Sequence, residues 1–306
     1  MSHQVTFRAP LHPIHFARTF SLQSLGRYDP TAEQSHHHFR KAFFYRGSPS
    51  ALEFRRADDH LETTAFGANA PALAEETALC LAQQDHYATF QTPDTGIQRL
   101  HWQLAGLRLL RFPWLYETTC STILQQRIRT VDAMRAWRRI TQRWGAEAPL
   151  GLRAFPPHET LAQIPSFQIE ALDIDIKRTR ALLKFAQESK FHPLRPDMTF
   201  SQLREHLLRI PGIGPWTTES VLGYGAGDPD AAIPGDLHLP HLVCYALAGE
   251  PEGSDERMME LLDPFRGHRF RIIRLLYESR LTVPRHRQPT PHPNSIPDST
   301  TPETQL

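Results

Sequence analysis

Residues 210–217 of the sequence read IPGIGPWT, with two glycines and two prolines between two segments that carry apolar residues at helical spacing. Gly212 and Gly214 permit positive φ and the close approach of another backbone. Pro215 suits the first position of the following helix, where its missing N–H leaves no bond unmade. Such a corner presents bare amides at a helix N-terminus, which suits a phosphate oxygen, although a plain turn between packed helices would use the same residues.

Charge is unevenly distributed along the chain, although the net charge of the 306 residues is only +1. Six arginines and one acid, Asp132, lie from Arg127 to Arg143, and a second cluster without acids runs from Arg266 to Arg274. A charged run is commonly just the solvated face of a helix. Two Arg-rich helices also form a local surface for phosphate groups, so we expect a polyanion-binding surface.

The cysteines and the apolar runs exclude several classes of protein. The three cysteines are too few and too widely spaced to supply four zinc or iron–sulfur ligands, and we expect buried free thiols. Runs of about 18 apolar residues are absent, and the N-terminus lacks the pattern of a secretory signal. We therefore expect a cytoplasmic protein without membrane contact.

The residue pattern changes from strands to helices along the chain. Segments 38–47, 51–59 and 61–69 mix apolar and charged residues, with the turn residues GSPS after the first, which predicts strands. Residues 71–85 predict a helix, and helical spacing with short connections then continues from residue 113 onward. The predicted fold class is mainly α, with an N-terminal α+β domain that holds a small antiparallel sheet. The expected boundaries are 1–110 for that domain, 111–283 for the helical domain and 284–306 for a disordered, proline-rich tail.

Several helix ends are also visible in the sequence. Thr199 and Gln202 have the spacing of a capping box. Glycines stand where helices are expected to end, at Gly145, at Gly223 or Gly225, and at Gly249.

The corner and the residues after it resemble the helix-hairpin-helix (HhH-GPD) superfamily of DNA glycosylases. A Gly/Pro-rich segment, GDPDAAIPGDLHLP, follows IPGIGPWT and places Asp236 twenty positions after Trp216. The segments STILQQRI (121–128) and DPFRGHRFRIIRLL (263–276) extend the similarity over residues 111–280. The resemblance is greatest to the bacterial 3-methyladenine DNA glycosylase II type, and it implies a helical glycosylase core.

The resemblance implies that Asp236 is the catalytic residue. Cleavage of an N-glycosidic bond passes through an oxocarbenium-like sugar, which a carboxylate stabilises while it positions the attacking water. Asp236 also precedes an apolar helix, where it would act as an N-cap, and the two roles are compatible. Trp216 occupies the position of the Schiff-base lysine in relatives that cut the strand, so we expect an enzyme without lyase activity.

A pocket for a flipped base is implied as well. Its expected residues are Trp216, Phe265, Leu237, His238 and Tyr224. An alkylated purine stacks well on the indole, with a cation–π contribution of about 0.5–2 kcal/mol. The position one helical turn after the tryptophan, commonly aromatic in this branch, is Ser220 here, so the pocket has fewer rings.

DNA contacts are expected at the hairpin, at a strand-invading wedge and in the second basic cluster. The expected residues are Pro211, Gly212, Ile213, Gly214 and Thr217 in the hairpin, Gln126 and Arg127 at the wedge, and Arg266 and His268 in the cluster. Arg127 would otherwise be one more surface arginine. The resemblance also implies a monovalent cation on the carbonyls of Ile210 and Ile213, and we expect no other cofactor.

These observations predict a monofunctional DNA glycosylase of base excision repair that removes alkylated bases of the 3-methyladenine type. The expected partner is damaged double-stranded DNA, and the expected state is a nucleoid-associated monomer. Two alternatives stay open. One is a glycosylase for oxidised or deaminated bases, and the other is a non-catalytic helix-hairpin-helix scaffold that binds DNA during repair.

Overall fold

The structure is a computed structural model that describes residues 3–11, 13–83, 85 and 87–284. The proline-rich tail expected at 284–306 lies outside the described residues except for Pro284.

The N-terminal part contains a five-stranded antiparallel sheet with strand order β1-β5-β4-β3-β2. The strands are β1 (Gln4–Ala9), β2 (Ala32–Gln34), β3 (His38–Tyr45), β4 (Ser48–Arg56) and β5 (Leu61–Phe66). The three predicted strands are confirmed as β3, β4 and β5, and the predicted fold class is confirmed with them. Neither edge strand, β1 or β2, was predicted. The β3–β4 turn is shorter than expected because Arg46 and Gly47 both adopt positive φ, as tight hairpins require.

Three helices belong to the first 110 residues: α1 (Phe16–Phe20), α2 (Ala70–Ala82) and α3 (Thr95–Gln103), of which α3 packs on the helix at Arg269–Glu278. Helix α2, predicted at 71–85, packs on β1 and β5. The core beneath the sheet is aromatic: the Phe20 and Phe39 rings stack at 4.9 Å, and Phe112 stacks on Trp114 at 4.5 Å. The segment that leads into the helical part therefore contributes its rings to the core of the sheet.

The rest of the described chain is helical apart from a two-stranded ribbon. The ribbon is β6 (Ala146–Glu147) with β7 (Arg153–Ala154), and the helices are α4 (Leu115–Leu124), α5 (Thr130–Trp144), α6 (His158–Leu161), α7 (Ser166–Glu170), α8 (Ile176–Ser189), α9 (Phe200–Leu208), α10 (Pro215–Ser220), α11 (Leu239–Ala248), α12 (Asp255–Leu262) and α13 (Arg269–Glu278). The capping box of Thr199 and Gln202 is confirmed at the start of α9. The predicted caps at Gly145 and Gly249 are confirmed as well.

Of the two predicted helix ends, Gly225 is confirmed to within one residue: α10 continues into a π-helix, Val221–Gly225, whose C-cap is Ala226. Both glycines also serve packing. A Cβ on Gly223 would lie 2.5 Å from the Phe270 ring, and one on Gly225 would lie 3.0 Å from Thr118. Single π-helical turns are frequent at functional sites, and this one carries Tyr224.

Asp29 joins the loop after α1 to the helical part. Its carboxylate is buried and accepts hydrogen bonds from Leu25 N (2.8 Å), from the N–H and hydroxyl of Thr31 (2.9 and 2.7 Å) and from the Trp137 indole (2.9 Å). Lys41 Nζ lies 3.9 Å away. Because Trp137 belongs to α5, this one side chain fixes the loop of residues 24–31 against that helix.

Gly212 and Gly214 form the corner between α9 and α10, but their constraints differ. Gly212 has φ +91°, and a Cβ there would lie 2.6 Å from Ala181 Cβ of α8. Gly214 has φ −102°, and a Cβ there would meet no other atom within 4 Å. Only Gly212 is therefore required by the fold itself.

Gly212→Ala should lower the free energy of unfolding by about 2–4 kcal/mol, since it combines positive φ with overpacking against α8. Urea titration monitored by circular dichroism measures this loss. Gly214→Ala is the matched control and should leave the unfolding midpoint nearly unchanged. Equal losses in both variants would contradict the assignment.

Candidate active site

Asp236 and Trp216 meet directly beside the hairpin. The Trp216 indole N–H donates to Asp236 Oδ2 at 3.1 Å. The other carboxylate oxygen, Oδ1, accepts the backbone N–H groups of His238 (2.8 Å) and Leu239 (2.9 Å), where α11 begins. Asp236 is not the N-cap that was expected, because the N-cap of α11 is His238, and the Asp236 side chain instead closes the turn that leads into the helix. Three donors hold the carboxylate in one orientation.

A cleft of about 880 Å³ opens at this carboxylate, between the sheet and the helices. One wall carries Trp216, Ser220, Tyr224 and Asp236. The loop after α1 and β2 also line the cleft, α4 supplies hydroxyl groups, and Gln125, just after α4, supplies an amide. The size falls within the range of 300–1,000 Å³ or so that is typical of pockets for small ligands.

Gln23 connects three of the segments that line the cleft. Its Nε2 donates to the carbonyl of Tyr224 at 2.8 Å, and its Oε1 accepts the Trp114 indole N–H at 3.2 Å. The Tyr224 ring packs edge-on against Phe270 with centroids 5.1 Å apart. Burial raises the pKa of Tyr224 to about 12, so its hydroxyl is a neutral donor at physiological pH.

The five residues expected in the base pocket separate into two groups. Trp216 and Tyr224 line the cleft. Leu237, with 76% of its surface exposed, and His238 face solvent, because the Asp236 turn directs them away from the cleft. Phe265 is half-buried against the helical core and is not among the described residues that line the cleft.

The expected wedge residues lie at the end of α4, next to the hairpin. Gln126 Nε2 donates to the Gly212 carbonyl and to Thr217 Oγ1, both at 2.9 Å. Arg127 is exposed and has φ +53°, a conformation that costs about 1–3 kcal/mol for a residue with a side chain. The structure thus ties Gln126 to the hairpin and presents Arg127 to solvent.

The other expected DNA-binding residues lie in different environments. Pro211 and Gly212 are exposed, whereas Ile213 and Thr217 are buried. Arg266 is exposed and pairs with Asp263 at 2.7 Å. His268 precedes α13, and its ring lies 5.0 Å from that of Phe90. Neither Arg266 nor His268 is among the described residues that line the cleft.

The hairpin carbonyls fit the donor chemistry of a monovalent cation. The Ile210 carbonyl accepts the Ile213 N–H at 3.0 Å, as in a turn, and retains a second lone pair. Neutral carbonyl oxygens suit a weakly charged ion. Ile210 and Ile213 would hold it. Within the described part of the chain, no group of three or more His, Cys, Asp or Glu side chains could bind a metal, and no helix could cross a membrane.

Glu117 and Gln23 are cleft residues that the sequence reasoning missed. Glu117, on α4, is 3% exposed, and its carboxyl accepts a hydrogen bond from Phe44 N at a long 3.4 Å. Burial raises the pKa of Glu117 to about 7, an effect that Lys41 and the Phe44 N–H partly oppose. The available signal for Glu117 was that it is the one acidic residue in segment 115–124, LYETTCSTIL, whose other side chains are mostly apolar or carry hydroxyl groups. Gln23 lies in a loop, where the sequence pattern contains no signal for such a role.

Comparison with known proteins identifies the superfamily. Residues 120–266 match the family model of the HhH-GPD superfamily base excision DNA repair proteins. This segment, just under half of the chain, carries the HhH-GPD domain. The matched HhH-GPD segment contains the hairpin, Trp216 and Asp236, and the family expected from the sequence is thereby confirmed.

Individual relatives are more distant. A DNA-3-methyladenine glycosylase from Bacillus subtilis is 24% identical over 183 residues, which cover 56% of this chain and 60% of that protein. The chain therefore matches somewhat over half the length of this curated relative.

Solved structures share the fold over most of the chain. A 3-methyladenine DNA glycosylase from Archaeoglobus fulgidus superposes with a TM-score of 0.74 at 18% identity, covering 90% of this chain and 98% of that one. An 8-oxoguanine glycosylase/lyase from Clostridium acetobutylicum, solved with double-stranded DNA, gives a TM-score of 0.62 at 15% identity and coverages of 87% and 92%.

The raised pKa of Glu117 predicts a pH-dependent stability. The folded protein retains this proton up to about pH 7, whereas an ordinary glutamate loses it near 4.5, so the stabilisation is present at low pH and is lost as the pH rises through 7. Glu117→Gln cannot ionise. Relative to wild type, its free energy of unfolding should rise by about 2–3 kcal/mol between pH 5 and pH 8. Urea titrations at both pH values measure this, and a constant difference would contradict it.

Proposed function

We propose that this protein is a DNA glycosylase of base excision repair, which hydrolyses the N-glycosidic bond of alkylated bases of the 3-methyladenine type. The observation that carries the proposal is the Asp236 carboxylate, held by three donors at the cleft wall beside the hairpin. The relatives named 3-methyladenine glycosylases support the choice of substrate class.

The carboxylate acts on the sugar of a nucleotide whose base has left the stack. As the glycosidic bond breaks, positive charge develops on the sugar, and a fixed carboxylate stabilises it without reorganisation. Asp236 also accepts a proton from the attacking water. Trp216 is a positioning residue here, since its indole N–H fixes the orientation of Oδ2.

The cleft accepts the flipped base. Its volume of about 880 Å³ accommodates a purine, and Trp216 and Tyr224 provide the rings. A cationic alkylated purine gains about 0.5–2 kcal/mol from such rings. Ser220 and the α4 residues Thr118 and Ser121 add hydroxyl groups to a lining that also contains apolar side chains such as Met134 and Ile233.

The reaction stops at base release. Trp216 stands where strand-cutting relatives carry a lysine, and an indole cannot form a Schiff base. The cleft does contain Lys41, but its ammonium donates to Thr31 Oγ1 at 2.7 Å and faces Asp29 on the sheet side. An ammonium engaged in this way has no free lone pair for attack.

The hairpin and the wedge hold the DNA. The exposed corner at Pro211 and Gly212 binds a backbone phosphate through the Gly212 N–H, and the carbonyls of Ile210 and Ile213 would hold a cation that adds positive charge there. Arg127 enters the duplex at the vacated position, while Gln126 stays bonded to the hairpin. Arg266 and His268 would extend the phosphate contacts along α13.

Two alternatives make different predictions. A glycosylase for oxidised bases shares this fold, but the Clostridium protein of that kind is described as a glycosylase/lyase. Trp216 argues against that branch. A non-catalytic scaffold would need the hairpin but not the bonded pair of Trp216 and Asp236 in a base-sized cleft.

Asp236→Asn should lower base release by roughly 100-fold or more while DNA binding persists, because the charge that stabilises the sugar is lost. The assay incubates duplex oligonucleotides, each with one defined lesion, under single-turnover conditions and reveals abasic sites with alkali. Fluorescence anisotropy measures binding.

Asp197→Asn, an exposed acid that does not line the cleft, is the control and should retain full release. Strand cleavage by wild type before alkali treatment would contradict monofunctional action. Binding by wild type with no base released from any lesion would favour the scaffold.

Arg127→Ala should slow base release about tenfold while affinity for undamaged duplex changes much less, since stacking within the duplex matters only when a base is flipped. The same two assays measure both quantities. Arg129→Ala is the matched control, because this arginine is two positions away, exposed and paired with Asp132. Equal losses of release and binding at Arg127 would make it a plain phosphate contact.

A further inference from the structure

An aromatic and basic patch lies beside the cleft, on the loop after α1. Tyr28 is 70% exposed. The guanidinium carbons of Arg27 and of Arg138, on α5, lie 5.7 Å and 5.9 Å from the centroid of its ring. Two like charges that face one ring repel each other, so an anion would stabilise the arrangement.

The charges of this patch are available to a ligand. Elsewhere on α5, Arg129 and Arg135 share Asp132, and Arg139 pairs with Asp173. No acid of the described chain lies within ion-pair distance of Arg27 or Arg138. Both side chains are exposed.

The patch is held rigidly next to the cleft. Asp29, the residue after Tyr28, is fixed by four hydrogen bonds, from Leu25, Thr31 and Trp137. Gly26 packs so closely on α5 that a Cβ there would lie 2.9 Å from Met134. Binding of a ligand therefore costs little conformational entropy in this loop.

Helix geometry gives the distance of Arg138 from the cleft. Thr130 and Met134 of α5 both line it, and Arg138 is the next residue on the same face. Each step of four residues spans about 5–6 Å. Arg27 itself lines the cleft, and Arg138 lies one helical turn beyond its border on α5.

We propose that Arg27, Tyr28 and Arg138 form a second DNA-backbone site, which grips phosphates next to the flipped nucleotide. The two guanidinium groups bind phosphate oxygens, and the Tyr28 ring keeps them together and packs against the deoxyribose. This assigns the N-terminal domain a part in DNA binding. The identification of the bound polyanion as DNA rests on the proposed function.

The test is the salt dependence of binding to undamaged duplex DNA by the full chain. Each phosphate contact contributes about 0.9 to the slope of log K against log salt, so Arg27→Ala/Arg138→Ala should lower the slope by about 1.8. Tyr28→Ala should weaken binding, and Tyr28→Phe should not, because the ring is retained. Arg8→Ala/Arg99→Ala, two exposed arginines that do not line the cleft, is the matched control.

An unchanged slope in the Arg27/Arg138 variant, or an equal fall in the control, would overturn the site. Base release is followed in parallel and separates the two proposals. A reduced slope in a protein that releases no base would retain the DNA site and reject the glycosylase. Absence of wild-type binding to DNA would reject both.

Discussion

The orientation of one carboxylate is the constraint on which the candidate site depends. Asp236 has one oxygen on the indole of Trp216 and the other on two amides where α11 begins. These groups come from two separate elements, α10 and the loop before α11, so their meeting requires the hairpin, the π-helix and the packing of α11 together. The orientation of the Asp236 carboxylate therefore depends on the correct packing of the helical part.

Much of the fold and of the candidate site could be predicted from the sequence because the relevant signals are local. The corner at IPGIGPWT can be predicted from the properties of glycine and proline alone. The capping box can be predicted from the spacing of three between Thr199 and Gln202. Three strands were visible from their composition. The edge strands β1 and β2 were not, because a strand at the edge pairs and packs on fewer sides and its sequence is less constrained.

The residues that were not predicted depend on tertiary contacts. Gln23 and Glu117 acquire their roles from groups far along the chain, Tyr224 and Phe44 respectively. The sequence could not decide between Gly223 and Gly225 as the helix end, because Gly223 is required by the closeness of the Phe270 ring rather than by a cap. Leu237 and His238 directly follow Asp236 in sequence, but the turn from Asp236 to Leu239 exposes both side chains to solvent.

The bonds from Gln126 to Gly212 and Thr217 have a mechanical consequence. They join the end of α4 to the corner after α9, so Arg127 and the hairpin are held at one separation. In the proposed complex, this separation sets the distance along the DNA between the phosphate at the hairpin and the base pair that Arg127 contacts. Movement to another base pair would then require both contacts to be released together.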